Sequence, residues 1–276
     1  IDDTSLEFSY RNNIEIVPTL ICSSESKESA RTYGWDKAEW RRLTNLSSLG
    51  ESLDSFKPGC GSKTLEPGME EQLIARFDDK LLSSRNIQLA DLEDDAEGCY
   101  ERGWSDGLPV IPPTKVRVIR MLKGTDRSPG EIIGNIPPDN APCTIEKVAI
   151  NAVLAGCKPE YFPIVLASVQ AALQDKFCMH GLLCTTYFSG PVMIVNGPVV
   201  QQIGLNNGIN ALGQGSRANA TIGRALQLLI RNVGGGVPGG IDRAVMGNPG
   251  KYTFCFAEDE SDADWSTLAQ DRGFER

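Results

Sequence analysis

The sequence holds one histidine, His180, and no pair of cysteines spaced as CxxC. Structural zinc sites use tight Cys or His pairs, so none is expected, and no metal ligand set stands out. No apolar run reaches the roughly 18–20 residues that cross a bilayer, so no membrane partner is expected. Clustered Lys and Arg are missing too. The 27 basic residues are outnumbered by 36 acidic ones, for a formal net charge of −9. Phosphate recognition needs a basic patch, which excludes nucleic acid as a partner. No internal repeat is visible. The chain begins at Ile1 and shows no charged-then-apolar secretory pattern.

What is present is ordinary globular material. Of 276 residues, 41% are hydrophobic and 23% charged, enough for one large domain or two small ones. The eight cysteines (22, 60, 99, 143, 157, 178, 184 and 255) are scattered, which reads as reduced thiols in a cytoplasmic protein.

Residues 1–67 are rich in Ser, Glu, Asn and Lys and read as a loosely docked, partly mobile segment. Within it, 13–20 has strand character weakened by Pro18, and Asp36 suits the cap of a helix to about Leu46. Residues 68–276 read as a single α/β or α+β domain, with a short central sheet and packed helices. Helices are predicted over 69–82, 89–102, 115–123, 144–155, 159–173 and 217–233 from apolar spacing of three and four. Strands are predicted over 182–188, 192–196 and 252–257. The stretch 91–106 carries seven acids against one Arg and reads as a solvated helix face. Leu108 to Thr114 holds three prolines, which impose an extended strap able to cover a core edge or wall a pocket.

Four places have chemistry-bearing residues. Gly213 and Gly215 precede the helix that Arg217 opens, an arrangement suited to a small carboxylate or, equally, to a plain cap. It matches the dinucleotide fingerprint only superficially, since no buried strand precedes it and Gly234 lies where the ribose acid belongs. His180 lies near Cys184 and Thr185, so it can serve as a base for a thiol or act alone. Asn196, Asn206 and Asn219 offer donor and acceptor together. Lys251 and Cys255 share one face of the last strand.

Gly103–Thr114 (GWSDGLPVIPPT), Glu146–Cys157 (EKVAINAVLAGC), Val195–Pro198 (VNGP), Arg217–Arg224 (RANATIGR) and Pro249–Tyr252 (PGKY) resemble the C-terminal region of bacterial UGSC-family (seleno)proteins over residues 96–270. The resemblance implies an enzyme, and its family name implies thiol or selenol redox chemistry. The selenocysteine-Gly-Ser-Cys motif itself is missing: Cys60-Gly-Ser-Lys63 has Lys at the second chalcogen position.

The expectation is a small-molecule enzyme acting on a carboxylate-like substrate by lyase or hydrolase chemistry. His180 would be the base, Cys184 the nucleophile and Lys251 a further catalytic group. Thr185, Asn196, Asn206, Gly213, Gly215, Arg217 and Asn219 would bind the substrate. No cofactor is indicated. A thiol-dependent oxidoreductase and a non-catalytic partner subunit are the rival readings, and a homo-oligomer is compatible with either.

Overall fold

The computed structural model describes residues 3–25, 27–261 and 264–274. Ile1 and part of the acidic tail (Asp262 and Ala263) lie outside the described residues. The chain divides into two compact units, Ile1–Asp79 and Lys80–Arg276.

The first unit contains helices α1 (Glu7–Arg11), α2 (Lys37–Thr44) and α3 (Met69–Phe77). Its strands are β1 (Ile16–Val17), β2 (Thr19–Ser24), β3 (Lys27–Tyr33), β4 (Trp35–Asp36), β5 (Phe56–Lys57) and β6 (Cys60–Gly61). Pro18 separates β1 from β2, as its missing N–H requires. Strands β2 and β3 form an antiparallel hairpin. Asp36 caps α2 through Oδ1, which accepts from Ala38 N at 3.0 Å and Glu39 N at 3.2 Å. Buried Trp35 meets Trp40 edge-on, and its indole N–H donates to Asp54 O at 2.7 Å. The stretch 47–67, rich in Ser, Gly and Pro, holds short β5 and β6 and a 3-10 turn.

The second unit contains α4 (Asp95–Glu101), α5 (Lys115–Leu122), α6 (Ile145–Ala155), α7 (Phe162–Ala172), α8 (Met179–Cys184), α9 (Val199–Ile203), α10 (Arg217–Asn232) and α11 (Leu268–Asp271). Its strands are β7 (Ile132–Ile136), β8 (Ala141–Thr144), β9 (Met193–Val195) and β10 (Cys255–Ala257). Helix α10 carries a stripe of Ala218, Ile222, Ala225, Leu226, Leu229 and Ile230, all buried, at the spacing that keeps one face inward. That face packs chiefly on α6, which is buried nearly all round. Thr144 starts α6 by accepting from Lys147 N, and Gly156 ends it at φ 91, a left-handed cap that glycine enters without steric cost. Phe162, Ile145, Ile222 and Leu228 are sealed from solvent at the centre.

The mixed α/β class stands, with the strands spread over small two-stranded ladders. Strands β9 and β10 are parallel, and α10 lies on the crossover between them. Residues 182–188, expected as a strand, instead finish α8 and continue irregularly. Met179 and Leu183, four apart, are both buried, so helical spacing overrides the β-branched run that follows. The β7–β8 hairpin falls in a stretch to which the sequence patterns assign no strand, because its prolines and glycines mask it. Among the described residues no helix is long and apolar enough to cross a membrane.

Candidate functional site

The Gly/Asn loop and the start of α10 do meet, and they do so through Asn219. Its Oδ1 accepts from Asn206 N at 2.8 Å and from Ser216 Oγ at 2.7 Å. Its Nδ2 donates to Asn206 O at 2.9 Å and Ala211 O at 3.1 Å. Both donors and both acceptor positions are spent on the protein. Asn206 is likewise engaged: Oδ1 accepts from Gly208 N at 2.9 Å, and Nδ2 donates to Ile209 O at 3.0 Å. Gly215 takes φ 119, and a side chain at Gly213 would collide with the Asn210 amide, so both glycines have structural reasons. Arg217 Nε donates to Gly156 O at 2.9 Å, which satisfies a carbonyl just past the end of α6.

The remaining expected residues are held by other partners. His180 and Cys184 stand four apart on the exposed side of α8. The imidazole makes no hydrogen bond or ion pair among the described residues, and Cys184 Sγ donates to Gly181 O at 3.6 Å. Thr185 Oγ1 accepts from Tyr187 N at 3.2 Å. Lys251 is locked to Asp242 Oδ1 at 2.7 Å, with both side chains largely covered. Asn196 donates to the Glu258 carboxylate. Among the described residues no hydrogen bond joins the His180 group, Lys251 or Asn196 directly to Asn219 or Asn206, although Ala257, next to the Glu258 that holds Asn196, donates its N–H to Asn206 O at 3.4 Å.

A cavity of about 520 Å³ lies elsewhere, within the range usual for small-molecule sites. None of the residues expected from the sequence to form a site lines it. The Trp104–Thr114 strap forms one wall through Trp104, Pro112, Pro113 and Thr114. Helix α6 forms another through Glu146, Lys147, Ile150, Asn151 and Leu154, a single face of that helix. Cys99 on α4 and the end of α10 complete the inner side.

The strap is held in several places. Ile111 N donates to Leu154 O at 3.1 Å, capping a carbonyl in the last turn of α6. Asn232 Nδ2 donates to Trp104 O at 3.0 Å and to Asn151 Oδ1 at 2.9 Å. Arg224 grips Asp106 with two parallel bonds of 2.8 and 2.7 Å and also reaches Leu108 O and Pro109 O.

The electrostatics of this cavity run against the rest of the chain. Arg85, Lys115 and Lys147 line it with Asp95 and Glu146, three cations against two acids. Glu146 is almost wholly buried and accepts from Ser83 N (2.9 Å), Ser83 Oγ (2.8 Å) and Ser84 N (2.9 Å). Burial pushes its carboxyl upward, but these donors outweigh it and hold the group below the ordinary glutamate value. Glu146 is an internal anion already matched by donors. Lys147 Nζ donates once, to Pro142 O at 2.7 Å, and an ammonium has three donors. Arg85 is exposed and has no hydrogen bond or ion pair among the described residues. Burial, then the charge of Asp95, raises the Cys99 thiol. Burial pushes the thiols of Cys143, Cys157 and Cys255 up to about 12. Among the described residues no group of three or more His, Cys, Asp or Glu is placed to hold a metal ion.

Sequence reasoning touched this cavity at Leu108–Thr114, whose prolines suit an extended strap over a core edge or beside a pocket. Lys147 and Asn151 were hidden in a helix that reads as core, although their four-residue spacing puts them on one face. No family model, curated protein or solved structure matches the chain.

Proposed function

We propose that the second unit binds a small organic acid with an apolar body in the cavity behind the Trp104–Thr114 strap. The observation that carries this reading is the local reversal of charge. In a chain of net charge −9, a half-open, mostly apolar cavity gathers Arg85, Lys115 and Lys147. One of its two acids, Glu146, keeps its charge but has its oxygens occupied by Ser83 and Ser84 donors. A site with low-dielectric walls and surplus cations favours an anion. Trp104, Ile150 and Leu154 would hold the apolar body, and Lys147 with Arg85 the carboxylate.

The anionic substrate expected from the sequence is thus kept and its place is changed. Two segments that carry the resemblance to UGSC-family proteins, Gly103–Thr114 and Glu146–Cys157, supply much of this wall, which supports reading it as the site. Lyase or hydrolase turnover by His180 and Cys184 on this ligand has no support from the geometry, since neither lines the cavity. Binding is the reading we adopt. Eight unbridged cysteines fit a reducing compartment such as the cytoplasm.

Titration with octanoate, 4-phenylbutyrate and the matching alcohols tests the reading. The acids raise the unfolding temperature and bind by calorimetry, while the alcohols bind at least tenfold more weakly. Lys147→Ala weakens the acids by about tenfold, the size of one charge-assisted hydrogen bond. Equal binding of acids and alcohols, or no binding of either, would overturn it.

A further inference from the structure

The outer wall of the cavity is not built on regular structure. Residues 78–94 form neither helix nor strand, yet Leu82, Ser84, Arg85, Asn86, Ile87 and Leu89 line the cavity. An irregular segment needs explicit polar anchors to hold one position. From Leu81 to Leu89, every hydrogen bond to the rest of the unit ends on Glu146 among the described residues. The latch joins two sequence neighbours of cations. Ser84, which donates to Glu146, precedes Arg85, and Glu146 itself precedes Lys147. Closing the latch therefore ties together the two segments whose cations, Arg85 and Lys147, line the same cavity. Two like charges gathered in this way repel, and an anion between them turns the repulsion into attraction.

We propose that Glu146 is a positioning residue for ligand binding: by gripping Ser83 and Ser84 it places Arg85 beside Lys147, so that the bound acid closes the 82–89 wall. This rests on the cavity's being the binding site. Glu146 touches no ligand in this scheme. It acts through Arg85, and a merely structural role would not depend on Arg85 at all. Ligand and latch are thermodynamically linked, so each strengthens the other by the same factor.

A double-mutant cycle with octanoate as probe, read by calorimetry, separates the two roles. Glu146→Gln raises Kd about tenfold, and Ser83→Ala, which leaves the buried carboxylate in place, about threefold. Arg85→Ala raises Kd about tenfold, and adding Glu146→Gln or Ser83→Ala to it changes nothing further. Hydrogen exchange of amides 83–89 slows on adding octanoate to the wild-type protein and not to Arg85→Ala. If Glu146→Gln or Ser83→Ala weakens binding equally with and without Arg85, the positioning role is wrong while the cavity stands. If octanoate binds the wild type yet leaves exchange in 83–89 unchanged, the closing of the wall is wrong. If octanoate does not bind the wild-type protein, the binding reading falls and this proposal with it.

Discussion

Asp106→Ala lowers stability by about 3–5 kcal/mol, the cost of stranding a covered partner charge. Arg224 and Asp106 are each only 13% exposed, so water compensates little for the lost partner. The pair is bidentate, and Arg224 also binds two carbonyls of the strap, at Leu108 and Pro109. Removing the carboxylate leaves the guanidinium facing carbonyls alone and frees the strap's first half. Thermal unfolding should move down by on the order of 10 °C, given the size of the unit. The exposed Asp126→Ala is the matched control and should stay within about 0.5 kcal/mol. A loss no larger than that control would mean that the strap does not depend on α10. The same variant should lose octanoate binding, because the strap carries four cavity residues from Trp104 to Thr114.

Asn219→Ala costs about 2–4 kcal/mol. Four hydrogen bonds of its side chain disappear, and Asn206 N, Asn206 O, Ala211 O and the Ser216 hydroxyl lose a partner. Each such loss is worth about 0.5–1.5 kcal/mol, more where the stranded group stays dry. Denaturant unfolding measures it. Asn219→Asp separates the bonds, since the carboxylate keeps the two acceptor roles and loses both donors. This variant should fall between wild type and Asn219→Ala. If Asn219 instead served to orient a substrate, as its residue type first suggested, the alanine variant would unfold at the wild-type denaturant concentration.

Both results bear on what was legible in the sequence. The helical frame was: α2 with its Asp36 cap, α6 between Thr144 and Gly156, and α10 with its apolar stripe all follow from local rules that need no partner. Residues 182–188 were misread because β-branched and aromatic composition marks a half-buried surface, and only the packing of Met179 and Leu183 shows that a helix turn fills it. The polar residues were the harder problem. Asn206, Asn219, Arg217 and Lys251 are of types that serve catalysis and caps alike. Their use here is fixed by partners 13, 61 and 9 residues distant in sequence. Arg85 and Lys147 drew no attention, because nothing in their neighbours reveals that Glu146 ties their segments together.

Alkylation of Cys99 tests the central claim most directly. This thiol is buried, 3% exposed, and it lines the cavity, so a reagent reaching it through that space competes with any ligand there. The rate at each cysteine is followed with iodoacetamide by peptide mass spectrometry, with and without octanoate. At ten times Kd, Cys99 should react roughly tenfold more slowly, in proportion to the free cavity. The exposed Cys178 and Cys184 should react at unchanged rates. An unchanged rate at Cys99 while octanoate is bound would place the ligand elsewhere and contradict the account.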